Sequence, residues 1–183
     1  MDILVTRRLT LRPPLEVDAE SITSALQNPN VARMLSSLPH PYTMKNAYDW
    51  IAQQQARPDE PCFAIYRQKF LGVVSVSRKE DDVPDLGYWL DEHAWGEGYI
   101  SEAARAVVSH AFRKHGFDMI RSGAFEDNPA SLKVLDKLGF EASGEVETCL
   151  NPVRQCEIAC TRVTLTRERF ESLFGSLESE RAA

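Results

Sequence analysis

Apolar residues at 100, 103, 104, 107, 108, 111 and 112 recur at the three-and-four spacing of one helical face. Arg113, Lys114 and His115 fall in the last turn of that helix, where cations suit its dipole, and Gly116 stops it. Just upstream, Leu86-Gly87-Tyr88-Trp89-Leu90 is a run of large apolar and aromatic residues that reads as a strand. Trp95-Gly96-Glu97-Gly98-Tyr99-Ile100-Ser101 makes the handover between the two.

The same reading orders the rest of the chain. Arg8 to Arg12 alternates and ends at Pro13-Pro14, which predicts a first strand. Apolar residues at 17, 19, 22, 25 and 26 predict a helix from Glu16 to Gln27, ended by Asn28-Pro29-Asn30. Asn30 is expected to cap a short helical piece through Leu38, and Thr43 to cap a helix through Gln55 with Ala47, Trp50 and Ile51 on one face. These early helices are expected to wall a pocket that selects an acceptor. Cys62 to Tyr66 and Phe70 to Ser77 read as strands joined by a polar turn, and the charged run Lys79 to Asp82 as the solvated tip of the next. Met119 to Phe125 is a strand that the long helix connects, by a right-handed crossover, parallel to the strand at 86–90. Asn128 (cap), Pro129 (first position), Leu132, Leu135 and Leu138 (apolar face) and Gly139 (stop) specify another helix. Phe140 to Val146 and Arg154 to Leu165 are closing strands, and a last helix runs from Thr166 to Leu177.

The expectation is an α+β fold, a mixed, mostly antiparallel central sheet of about seven strands flanked by helices. Its 183 residues, 43% apolar and 26% charged, fit a single domain over 1–183 with its core at about 6–170. A net charge of -6 argues against a nucleic-acid binder. No apolar run approaches a membrane span, and Met1-Asp2-Ile3-Leu4-Val5 is not a signal peptide, so a cytoplasmic protein with reduced thiols is expected. Cys62, Cys149, Cys156 and Cys160 contain no Cys-x-x-Cys pair, and Cys156 and Cys160, of one strand parity, are expected to pack. His40, His93, His110 and His115 have no metal-ligand spacing, so no metal is expected.

The chemistry sits at the strand-to-helix turn. A helix N-terminus leaves up to four N–H groups unpaired and carries roughly half a positive charge, and two glycines let a bound group approach that backbone closely. The combination points to a diphosphate cradle. A P-loop is excluded, because no Gly-Lys-Ser/Thr follows. A dinucleotide fold would put a third glycine where Ser101 stands.

Taken together, the Trp-Gly-x-Gly-Tyr turn, the helix from Asn128-Pro129-Ala130-Ser131 to Lys137-Leu138-Gly139-Phe140 and the order of elements resemble the GNAT superfamily of acyl-CoA-dependent N-acetyltransferases. Gly87-Tyr88-Trp89-Leu90 resembles the branch of ribosomal-protein N-terminal acetyltransferases, and the likeness runs from Thr6 to Arg169. It implies acetyl-CoA as cofactor, its diphosphate on the backbone of Gly96, Glu97, Gly98, Tyr99, Ile100 and Ser101. It also implies a splayed parallel strand pair taking the pantetheine arm, with Asn128 holding that arm and an N–H near Leu90 serving the developing oxyanion. Ser131 is the implied proton donor to the leaving thiolate, and Glu147 the nearest match to the branch's base, with Asp85 and Glu126 as competitors. The sequence departs from the family at three points of the turn. Trp95 replaces Gln or Arg, Ile100 replaces Gly or Ala, and Glu97 replaces a basic residue. Many members also carry a tyrosine as general acid where Leu135 stands, and leucine donates no proton.

The resemblance implies transfer of acetyl to a primary amine, either a protein N-terminus or a small amine. The alternative is a non-catalytic acyl-CoA sensor or partner module. No nucleic-acid or membrane partner is expected, and pairing into a homodimer is left open.

Overall fold

In the computed structural model, which describes residues 2–78 and 83–176, the N-terminal segment forms two short strands, β1 (Leu4–Val5) and β2 (Thr10–Arg12). The first of them is too brief to show a periodicity. A 3-10 turn at Glu16–Asp18 leads into α1 (Ala19–Gln27), followed by α2 (Pro29–Ala32). The cap of α2 is Asn28 and not Asn30: its side chain accepts the Asn30 N–H at 2.9 Å, and Pro29 takes the first helical position, where its missing N–H costs nothing. Thr43 caps α3 (Met44–Gln55) through reciprocal bonds with Asn46.

A meander of β3 (Cys62–Arg67), β4 (Lys69–Arg78) and β5 (Pro84–Leu90) precedes α4 (Tyr99–His115). Then come β6 (Met119–Phe125), α5 (Pro129–Lys137), β7 (Glu141–Asn151), β8 (Cys156–Thr166) and α6 (Arg167–Phe174). Lys79 to Asp82 and everything from 177 lie outside the described residues, so the expected turn tip and the end of the last helix are not addressed. The second closing strand starts two residues later than expected and ends one later, and β7 continues five residues past Val146 to Asn151. A register shift between Ala142 and Val146 breaks its alternation, which is why the sequence pattern ended early.

The eight strands form one mixed sheet in the order β1-β2-β3-β4-β5-β6-β8-β7, one more strand than expected, and β5–β6 is its parallel pair. Side chains alternate between its faces. On one face, Val74, Leu86, Leu90, Ile120 and Leu165 pack against Ala104, Val107, Val108 and Phe112 of α4, Leu135 of α5 and Phe170 of α6. On the other, Ala64, Phe70, Val73 and Trp89 meet Ile22 and Leu26 of α1, Val31 of α2, and Ala47, Trp50 and Ile51 of α3. Cys160 is buried as expected, but Cys156 is exposed because it pairs with Asn151 at the hairpin tip.

α1 is tied to the sheet by a buried ion pair. Arg12 donates to both oxygens of Asp18 at 2.8 and 2.7 Å, and Tyr66 Oη and the Leu15 N–H also donate to that carboxylate. At the opposite end of the wall, Asn151 donates to the carbonyls of Arg33 and Leu35 at 3.0 and 3.1 Å, fastening the loop after α2 to the β7–β8 hairpin.

Candidate active site

The turn before α4 has the geometry of an anion cradle. Gly96 (φ +79°) and Gly98 (φ +74°) take left-handed conformations that residues with a Cβ adopt at a cost, and a Cβ at Gly96 would meet nothing within 4 Å. The helical ladder begins with the Glu102 N–H on Gly98 O at 3.3 Å, so the N–H groups of Tyr99, Ile100 and Ser101 have no acceptor inside the helix.

A brace behind the turn comes from residues that the motif does not contain. Arg8 donates to the Glu97 carbonyl at 3.0 Å, to Glu102 through Nε at 2.6 Å, and lies over the Tyr99 ring at 4.7 Å. Thr6 also donates to Glu102 at 2.6 Å. Burial pushes the Glu102 carboxyl up, but these hydrogen bonds outweigh it and hold the carboxyl below its ordinary range. The acid beside the cradle is therefore an anion already neutralised. Arg8→Ala should weaken CoA binding about tenfold, the worth of one hydrogen bond to a charged donor, with kcat unchanged; calorimetry against steady-state rates checks this.

From the cradle a cavity of about 1050 Å³ runs through the sheet. β5 and β6 register only at Asp85↔Arg121, and Ser122 Oγ donates to Leu86 O at 2.8 Å just beyond. Past Leu86 the strands part. The Asp91 N–H turns toward β4, donating to Leu71 O at 2.8 Å, so strand alternation turns the N–H and carbonyl of Leu90 toward the gap. Trp95 Nε1 occupies that carbonyl at 3.0 Å, which gives the unusual tryptophan a structural task. Residues of both faces of β5 border the cavity, Tyr88 and Leu90 on the α4 side and Trp89 on the α1–α3 side.

Of the residues expected at the site, Leu90, Gly96, Gly98, Tyr99, Ile100, Asn128 and Ser131 border this cavity. Glu97, Ser101 and Glu147 do not. Asn128 Oδ1 accepts the Ser131 N–H at 3.1 Å, serving as the cap of α5. Ser131 Oγ lies 2.8 Å from Tyr88 Oη, which also donates to Ser131 O at 3.2 Å. Burial pushes the Tyr88 phenol up to about 12, with the serine hydrogen bond opposing, so it stays protonated near neutrality. A phenol thus stands beside Ser131 although α5 carries leucine at 135.

On the opposite face Arg162 lies between two carboxylates. It meets Glu147 at 2.6 Å and Asp85 at 3.7 Å, and its side chain crosses Gly123, where a Cβ would meet it at 3.1 Å. Burial works against the Arg162 charge, and the Glu147 hydrogen bond together with the charges of Glu147 and Asp85 more than offsets it. Glu147 therefore reaches the cavity through Arg162, while Asp85 borders it directly. Lys133 and Lys137 of α5 also border the cavity and bring positive charge that the turn itself lacks.

A family model described as an acetyltransferase (GNAT) domain matches residues 8–141. The chain belongs to the GNAT acetyltransferase family. Membership brings N-acetyltransferase chemistry and acetyl-CoA as acyl donor. The GNAT chain is 27% identical over 150 residues to the uncharacterized N-acetyltransferase YoaA of Bacillus subtilis (strain 168), covering 78% of this chain and 84% of the relative. It is 33% identical over 85 residues to the ribosomal-protein-serine acetyltransferase of Escherichia coli (strain K12), covering 45% and 48%. In fold it is similar to a structure of RimL, a ribosomal L7/L12 alpha-N-protein acetyltransferase in complex with coenzyme A, with a TM-score of 0.78 at 20% identity over 90% of this chain and 98% of that one.

In this GNAT chain the glycine turn that the sequence pattern singled out, and the parting strands and Ser131 that the resemblance implied, border one cavity. Tyr88, Arg8 and Arg162, which lie beside the turn or the cavity, were not among the residues expected there. Tyr88 carried one signal, an aromatic hydroxyl on a strand expected to border the cofactor. Arg8 carried none, since its partner Glu102 lies 94 positions along the chain, and Arg162 carried none, since its contact with Asp85 crosses from β8 to β5. Among the described residues no helix is long and apolar enough to cross a membrane.

Proposed function

We propose that the chain moves the acetyl group of acetyl-CoA to a primary amine, a protein N-terminus or a small amine, by direct attack of the neutral amine on the thioester. The observation that carries this reading is the passage through the sheet between β5 and β6, with the glycine turn at one end and α1–α3 at the other. The N–H groups of Gly96 to Ser101 hold the diphosphate, joined by Lys133 and Lys137. Backbone groups exposed by the splay pair with the pantetheine amides, as an added strand would. The Leu90 N–H faces the gap and receives the charge that develops on the carbonyl oxygen. Ser131 Oγ–H protonates the departing thiolate, whose pKa of roughly 8.5 requires little assistance.

Glu147 is the proposed base, acting next to Arg162 through a relaying water because it does not itself border the cavity, with Asp85, which does, its competitor on the same face. Both carboxylates already face Arg162, at 2.6 and 3.7 Å, so the amine must also lose its proton readily. The Tyr88 hydroxyl beside Ser131 favours catalysis over the sensor reading, because it supplies the donor that Leu135 cannot. Release of free CoA with a panel of amines tests the function: tight CoA binding with no transfer to any acceptor rejects it. Glu147→Gln should lower kcat/KM and remove the acidic limb of the pH–rate profile; a retained limb transfers the base role to Asp85 or to water.

A further inference from the structure

We propose that the acceptor is an arylalkylamine, a primary amine carried on an apolar, ring-bearing body, and that the hollow on the α1–α3 face selects it. This rests on the transferase reading above. The acceptor half of the cavity is a gap in the second hydrophobic core. Ile22, Leu26, Tyr42, Trp50, Val73 and Trp89 border the cavity and belong to or pack against that core. Both tryptophans are half-buried, and the Trp89 ring is held by Phe70, centroids 5.8 Å apart at 54°. An aromatic or aliphatic body entering here removes apolar surface from water on both partners.

Charge argues the same way. Three carboxylates border the cavity, and each already faces a cation: Asp49 with Lys45 at 2.6 Å, Asp85 with Arg162 at 3.7 Å and Asp127 with Arg154 at 2.5 Å. A polyamine or aminoglycoside, with several ammonium groups to neutralise, must compete with those partners for each carboxylate. Closure argues against a peptide. Asn151 and Arg154 bond the carbonyl of Arg33 at 3.0 and 2.8 Å, so the hairpin and the loop after α2 close one side of the hollow that an extended chain would need as an exit. The apolar wall also addresses a base already engaged by Arg162. Desolvation disfavours ammonium, so an amine seated here is shifted toward the neutral, nucleophilic form without a strong carboxylate base.

The test compares kcat/KM for phenethylamine, tryptamine and the propyl, pentyl and hexyl amines with spermidine, an aminoglycoside and tetrapeptides beginning with Ser or Ala. Binding of phenethylamine to the protein–CoA complex is measured beside it by calorimetry. The expected result is phenethylamine at least about tenfold above spermidine, and a rise of about three- to fourfold per methylene along the alkyl series. Trp50→Ala should lower kcat/KM for phenethylamine about tenfold with CoA affinity unchanged. Transfer that favours spermidine, the aminoglycoside or a peptide, or that is flat along the alkyl series, overturns the acceptor assignment and leaves the transferase reading standing. Binding of phenethylamine without any transfer supports the hollow's selectivity and rejects the transferase reading; neither binding nor transfer overturns both.

Discussion

Arg12→Ala should destabilise the fold by about 3–5 kcal/mol, seen as a lower denaturant midpoint at unchanged m-value. The reason is what remains behind. Asp18 is only 1% exposed, and without Arg12 its carboxylate keeps the Tyr66 hydroxyl and the Leu15 N–H but no counter-charge. In the native protein, burial pushes the Asp18 carboxyl up, and the Arg12, Leu15 and Tyr66 hydrogen bonds together pull it below its ordinary value of 3.8. A depressed pKa gives stability that is present above the unfolded value and is lost as pH falls through the folded one. In the variant burial dominates and the carboxyl rises above that value, so the sign reverses: the variant loses stability as pH climbs from about 4 toward 7. The gap between the two proteins should therefore widen over that range. A loss under about 1 kcal/mol, or a gap independent of pH, would show that the pair behaves like a surface ion pair.

That network also marks where sequence reading stops. α4 was legible because its apolar stripe, its basic last turn and Gly116 agree with one another, and α5 because Asn128, Pro129 and Gly139 punctuate it from both ends. Each of those signals is local. The link from Arg12 to Tyr66 spans 54 positions and leaves no periodic trace. β1 was invisible because two residues make no pattern, and β7 was cut short because its alternation fails where the register shifts between Ala142 and Val146.

The site divides along the same line. Its proposed cofactor half is built largely from backbone, and a glycine spacing and a helix start were enough to point to it. Trp95 was a departure from the family pattern in sequence, and in space its indole N–H is spent on the Leu90 carbonyl beside the proposed oxyanion N–H. The proposed acceptor half is lined by side chains of five separate elements, α1, α2, α3, β4 and β5. Only its location was expected, as a wall of early helices, and its apolar character is a tertiary property.

Ser131→Ala should lower kcat by about tenfold, less than a positioned donor gives a poorer leaving group because the CoA thiolate requires little assistance, with little change in CoA affinity. Tyr88→Phe should lower it nearly as far. The two hydroxyls are 2.8 Å apart, so when Ser131 Oγ–H goes to the thiolate, Tyr88 Oη–H can pass to Ser131 Oγ, and solvent restores the phenol. Groups that act in one relay are not additive, so Tyr88→Phe/Ser131→Ala should be hardly slower than either single variant. A phenylalanine at 88 keeps the ring against the α4-side core, so an unchanged Tm separates a proton-transfer defect from a packing defect. Independent losses that multiply in the double variant would sever Tyr88 from Ser131. Full kcat in Ser131→Ala would remove the serine from the mechanism, and the proton would then have to reach the sulfur from Tyr88 directly or from water.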